Sequence, residues 1–308
     1  MKICFMGTPE FAVPSLEALY KKYEIVGVFT QPDKPKGRGK KLMPPPVKIA
    51  AQSLGIKVYQ PAKIKSEEAF NIVLSLNADL IVVVAYGQIL PKAILDMPKF
   101  GAINVHASLL PKYRGAAPIQ WAIINGEQTT GVTIMQMDTG MDTGGIILQK
   151  SLATNNRTSG EMFPLIATLG AHALIDSLKI LLNGSIKIQL QDDNIATYAP
   201  MLEKKHGNID WNKSCTEIIN LINGLNPWPG AYTSLNCQVL KIWRAKQINI
   251  EDPKQPGTLL ASDPKQGIII KTKDGALYLT EVQLKSGKRL NSKEFTNGNK
   301  FEIGIKAY

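Results

Sequence analysis

The sequence predicts an α/β protein, a domain built on a mostly parallel sheet followed by a small C-terminal β-barrel. Three observations lead there. Strand-like apolar runs alternate with helical stretches through residue 182, the spacing of βαβ crossovers. Leu80–Ala85 is apolar without alternation, as expected of a strand buried on both faces. After residue 209 the pattern changes to short segments separated by turn residues, as in a small barrel. At 308 residues the chain suggests two domains of roughly 100–200 residues each.

In chain order, Lys2–Met6 is a strand that stops at Gly7. Phe11–Lys22 is a helix with Pro14 confined to its first turn. Glu24–Thr30 is a second strand. Residues 31–48 then interrupt with Pro32, Pro35, Gly37, Gly39 and Pro44–Pro46, a frame that argues against helix or central strand and for an exposed, mobile loop. Val47–Leu54 is helical and Lys57–Tyr59 a short strand. Ser66–Leu76 is an amphipathic helix with Ser66 as N-cap. Ala102–Val105 is a strand and Ile119–Asn125 a helix. Two β-rich runs, Gly131–Met137 and Gly145–Leu152, flank Asp138–Gly144, and Ser159–Leu182 is a long helix that Pro164 kinks or delays. Residues 200–209 read as a linker between a domain at 1–199 and a barrel at 210–308. In the barrel, Cys215–Asn223 is a helix and Ala231–Leu235, Val239–Ala245, Gly257–Leu260, Gly267–Lys271 and Ala276–Leu279 are strands.

Composition narrows the function classes. Hydrophobic residues make up 44% and charged residues 20%, which excludes wholesale disorder. The apolar runs fall short of the ~20 residues that cross a bilayer, and the run at the N-terminus is too short for a secretory leader. Cys4, Cys215 and Cys237 are far apart and odd in number, which points to unpaired thiols in a reducing cytoplasm rather than to disulfides or zinc. The net charge is +11, and residues 31–48 and 207–308 each carry +5 of it. Charge concentrated in one loop and one domain attracts a polyanion.

His172 falls within the long helix and His206 in the linker, both structural or solvated positions. His106 ends the strand AINVH, and Asn104, two residues earlier, shares its face. An amide and an imidazole at the carboxyl end of a strand can activate an electrophile: the amide donates to a developing oxyanion, and the ring donates or shuttles a proton. The run MQMDTGMDTGGI offers Asp138 and Asp142 on tight turns, and a carboxylate beside His106 would orient the ring. Spacing alone does not choose between the two aspartates.

Taken together, NVHASLLPKYRGAAPIQWAI and GVTIMQMDTGMDTGGI resemble the folate-dependent formyltransferases. MGTPEFAVPSLEAL, QPDKPKGRGKKLMPPPVK, VVVAYGQILP and NPWPGAY extend the resemblance nearly end to end. The resemblance implies a Rossmann-like domain followed by an OB-like barrel, and formyl transfer from 10-formyltetrahydrofolate to methionyl-tRNA. It puts the catalytic groups on Asn104, His106 and Asp142, and the folate contacts on Ser108, Leu109, Leu110 and Pro111. It puts the tRNA contacts on the 31–48 loop, with Arg38 as the key arginine and Lys36, Lys40 and Lys41 beside it. No metal is implied, and a cytoplasmic monomer without membrane association is expected. Ala107 stands where the family usually has glycine. A formyltransferase for a small amine would not call for the basic loop and barrel. A dinucleotide-dependent oxidoreductase would show G-x-G-x-x-G where this chain has Gly7-Thr8-Pro9. A non-catalytic RNA-binding protein would leave Asn104, His106 and Asp142 without a task.

Overall fold

The computed structural model describes residues 1–36, 41–185 and 187–308, apart from the side chain of Lys36. They pack as two units. The first holds Met1–Pro118, Thr130–Leu152 and Phe163–Ala199; the second holds Ile119–Thr129, Ala153–Met162 and Pro200–Tyr308.

The elements begin with β1 (Lys2–Gly7), α1 (Val13–Tyr20), β2 (Glu24–Phe29), β3 (Lys34–Lys36), β4 (Lys41–Met43), α2 (Pro46–Ser53), β5 (Val58–Tyr59), α3 (Glu67–Ser75), β6 (Leu80–Val84) and α4 (Lys92–Leu95). They continue with β7 (Ala102–His106), β8 (Arg114–Gly115), α5 (Pro118–Ile124), β9 (Thr129–Gln136), β10 (Ile146–Ala153), α6 (Ser159–Leu182) and β11 (Tyr198–Ala199). The sheet of the first unit has the order β10-β9-β7-β6-β1-β2-β5. β1 runs parallel to β2 and β6, β2 to β5, and β6 to β7, while β9 is antiparallel to β7. From β1 the chain first builds outward through β2 and β5, then returns to the other side with β6 and β7. That reversal places functional loops at the carboxyl ends of the strands. All five residues of β6 are buried. Cys4, Met6, Ile81, Val83 and Ala102 meet Ala69, Val73 and Ile94 in one continuous apolar cluster. Ser66 caps α3 by accepting the Ala69 N–H at 3.2 Å, a contact worth about 1 kcal/mol.

Two expectations change. The 31–48 loop contains a hairpin, in which Lys34 pairs with Met43 and Pro35 with Leu42. A two-stranded ribbon has free edges, so a proline can be accommodated there. α6 is long and apolar enough to cross a membrane by length and composition, but half of its apolar stretch is buried inside the protein. Within the first unit, Ile166, Ala173, Leu174 and Leu178 are buried at helical spacing, which marks a core helix. It starts at Ser159 despite Pro164.

The second unit adds α7 (Cys215–Leu225), β12 (Ala231–Leu235), β13 (Gln238–Ile248), β14 (Leu259–Asp263), β15 (Gly267–Lys271), β16 (Ala276–Leu284), β17 (Leu290–Asn291) and α8 (Ser292–Gly298). Its antiparallel sheet has the order β12-β13-β16-β15-β14, with β17 on β16. β13 and β16 outrun the expected spans, and β14 starts after Gly257, whose φ of +87° suits a turn. Residues 305–308 bridge the two edges. The Leu259 N–H bonds Ile305 O at 2.9 Å, the Ala307 N–H bonds Gly257 O at 2.8 Å, and Ser234 and Tyr308 exchange two backbone bonds. Ile218, Ile222, Leu240, Ile242, Ile268 and Leu279 fill the interior.

Candidate active site

β7 brings Asn104 and His106 to the carboxyl end of a strand paired on both sides. Asn104 lies opposite Val83 and Met135, and His106 opposite Thr133. His106 is buried, 5% exposed. Its Nε2 lies 3.0 Å from the Tyr113 carbonyl. A carbonyl only accepts, so Nε2 carries the proton in the neutral ring and Nδ1 presents a lone pair.

The two aspartates separate by partner. Asp138 closes its own loop, accepting Gly140 N–H at 3.0 Å and the Thr143 hydroxyl at 2.8 Å. Asp142 turns inward. Its Oδ2 is 3.5 Å from His106 Nδ1, its Oδ1 is 3.5 Å from Asn104 Nδ2, and the Gly115 N–H donates to Oδ2 at 2.9 Å. Asp142 does this with φ +54°, in the left-handed region. Asn104, His106 and Asp142 therefore share one cluster.

The segment Ser108–Pro111 is a fixed turn with a cis Leu110–Pro111 bond. Thr133 Oγ1 donates to Ser108 O at 2.7 Å and accepts Leu110 N–H at 3.0 Å, and Gln149 Nε2 donates to Leu110 O at 2.8 Å. Ser108 and Leu110 are buried, and the Ser108 hydroxyl donates to Lys112 O at 2.6 Å. Leu109 and Pro111 are the half-exposed members. Ala107 is not among the positive-φ residues, so alanine in place of glycine imposes no strain there. The Tyr113 carbonyl, the Gly115 N–H, Arg114 and Gln191 also serve the cluster. Tyr113 and Arg114 stand next to a recognisable motif, whereas nothing in the sequence around Gln191 singles it out.

Lys41 is exposed on β4, and Lys36 lies on β3. Arg38 and Lys40 lie outside the described residues, as does the side chain of Lys36. Lys48 is ion-paired with Asp33 at 2.9 Å and so adds no free positive charge to the loop. Hydrogen bonds from Gln60, then Lys48, hold the Asp33 carboxyl below its ordinary range. Burial pushes the Cys4 thiol far up, as befits a core residue. His172 is exposed on α6, and His206 Nδ1 accepts the Glu203 N–H at 2.8 Å.

The second unit has a concave site of its own, a cavity of about 480 Å³ lined by Asn156, Asn220, Asn223, Gln247, Arg244 and Lys246 among others, with no carboxylate in its lining. Trp243 of β13 has the Arg289 guanidinium 4.0 Å from its ring centre and Lys241 Nζ 5.3 Å from it.

Comparison with known proteins identifies the family. The family described as Formyl transferase matches residues 1–178, and Formyl transferase, C-terminal domain matches residues 201–300. The chain belongs to the formyl transferase family. Among solved structures, an N-formyltransferase from Helicobacter canadensis in complex with folinic acid and dTDP-3-aminofucose shares the fold, with a TM-score of 0.66, 20% identity, and 94% of this chain and 100% of that one covered. HypX from Aquifex aeolicus in complex with tetrahydrofolic acid does so at a TM-score of 0.60 and 16% identity, over 96% of this chain and 46% of HypX, so the chain spans about half of that protein. Relatives that are nearly half identical over almost their whole length include methionyl-tRNA formyltransferases. That of Ruminiclostridium cellulolyticum is 48% identical over 310 residues and that of Clostridioides difficile 49% over 307, each with 99% of both chains covered.

Proposed function

We infer that the chain transfers the formyl group of 10-formyltetrahydrofolate to the α-amine of methionyl-tRNA, giving N-formylmethionyl-tRNA for translation initiation. The observation that carries this reading is the convergence of Asn104, His106 and Asp142 across 3.5 Å contacts at the end of β7. Its support is the full-length similarity to methionyl-tRNA formyltransferases.

In this reading, Asn104 Nδ2 donates to the negative charge that grows on the formyl oxygen as the neutral amine attacks. Such a donor is worth about 2.7–4 kcal/mol of barrier. His106 Nδ1 takes the proton of the attacking amine, Asp142 stabilises the charged ring, and the proton returns to the departing folate nitrogen. The folate supplies an activated formyl group when bound. Leu109 and Pro111, half-exposed on a turn that Ser108 and Leu110 hold from inside, offer it an apolar wall. Lys36, Arg38, Lys40 and Lys41 grip tRNA phosphates from the 31–48 loop. We assign catalysis to residues 1–199 and further tRNA contact to 210–308 beyond the 200–209 linker, supported there by Lys246 at a cavity with no carboxylate in its lining, where Arg244 is already ion-paired with Glu161. We place the enzyme in the cytoplasm as a monomer away from membranes, in keeping with three unpaired cysteines.

The test is incubation with 10-formyltetrahydrofolate and methionyl-initiator tRNA, with elongator methionyl-tRNA and a nucleotide-linked amino sugar as competing acceptors. Formylmethionyl product from the initiator is expected. Product from the amino sugar alone would move the chain to a small-amine formyltransferase.

A further inference from the structure

We propose that Gln191, held by Arg114, is a positioning residue for formyl transfer: it fixes the backbone turn that aims the Asp142 carboxylate at His106. The proposal rests on the function inferred above. Asp142 sits at φ +54°, a region that aspartate enters more readily than most residues, so contacts must fix which way its turn is held. Gln191 Nε2 supplies that hold, donating to Asp142 O at 2.8 Å and Gly144 O at 2.7 Å. The amide cannot flip, because its Oε1 accepts both Nε and Nη2 of Arg114, at 3.0 and 2.9 Å. A guanidinium has only donors, so it selects the oxygen face of the amide and turns the NH₂ toward the turn.

Arg114 is an unusual residue to find inside. It is 2% exposed, while Asp193, its ion-pair partner among the described residues, has a side chain 82% exposed. A buried charge with so weak a counter-ion contributes little to stability, so its geometric role is the better account of it. The next residue, Gly115, gives its N–H to the Asp142 carboxylate. Gly115 has φ +117°, and a Cβ there would sit 2.9 Å from the Ala199 carbonyl. Residues 114 and 115 thus hold Asp142 at both ends, the carboxylate directly and the carbonyl through Gln191. Gln191 contacts the turn behind the carboxylate and none of the three catalytic side chains, which makes it a positioning residue.

Gln191→Glu tests this, since it keeps an acceptor for Arg114 and loses both N–H donors. With 10-formyltetrahydrofolate and methionyl-tRNA as substrates, kcat should fall roughly 10- to 100-fold, with KM for tRNA changed less than about twofold. The His106 ring resonances of the substrate-free protein should move. A folded variant with unchanged kcat, or with unmoved ring resonances, overturns the proposal. If Gln191→Glu does not accumulate folded, Arg114→Lys replaces the fork with a point charge and is read the same way: lower kcat and moved resonances support the proposal, and wild-type values overturn it. If the wild-type protein fails to formylate methionyl-tRNA while the resonances still move in the variant, the function inferred above falls and the positioning of Asp142 stands.

Discussion

The turn between β9 and β10 is tied down from several sides, whereas the β3–β4 hairpin, among the described residues, is anchored at its base. In the turn, Asp138 closes the loop on Thr143, Gln191 grips two carbonyls, and Gly115 grips the carboxylate. In the hairpin, Lys34, Lys41, Leu42 and Met43 are exposed, and the anchor is Asp33 with Lys48 and Gln60. The contrast follows from the tasks inferred for the two regions. Proton transfer and charge stabilisation are sensitive to tenths of an ångström. Capture of a polyanion depends on the number of charges and tolerates their movement.

The largest effect that would sharpen this contrast is His106→Ala. Formylation should drop by about 10²–10⁴-fold while tRNA affinity, measured by filter binding, stays near wild type. Turnover left intact would remove the ring from the mechanism. Asn104→Ala should follow, with about 10²–10³-fold lost from kcat in single-turnover assays. Gly144→Ala strikes the turn itself. A Cβ there would stand 1.8 Å from the Gln136 carbonyl, so the backbone must shift, and denaturant titration should show about 1–3 kcal/mol lost. Unchanged stability would mean the turn is looser than its contacts imply. On the hairpin, Lys41→Ala should leave kcat at saturating tRNA unchanged and lower the slope of log K against log salt by about 0.7–0.9. A kcat defect would break the division of labour. The smallest effect concerns pH. The Asp33 carboxyl is depressed in the folded state, so its contribution is complete above the ordinary carboxylate range and fades as pH falls through the depressed value. Protease nicking of the hairpin should therefore rise on acidification, and Asp33→Asn should flatten that rise.

The elements readable from sequence were those that leave a plain mark in it, an unbroken apolar run, a cap or a helical period. β6 is buried on both faces, α3 carries its own N-cap, and α6 runs over the span its pattern gives. The hairpin escaped because Pro35 masks a short ribbon, and α8 because seven polar-rich residues carry too little periodicity. Asn104 and His106 share a strand face, so spacing alone could pair them. Choosing Asp142 over Asp138 took the family resemblance, and the contacts of the two residues follow the same division. Gln191 was illegible for a physical reason: it reaches the turn from 49 residues away in the chain, on a stretch held by short pairings alone, the Gln189–Ile146 bridge and the two residues of β11.

The strap at residues 305–308 bears on how the protein behaves in a crowded solution. An open β-sheet ends in rows of unpaired N–H and C=O groups that can recruit a strand from another molecule. In the second unit residues 305–308 take up backbone groups at both rims of the sheet, so that sheet offers less of this template to another molecule, and removing those residues would expose it.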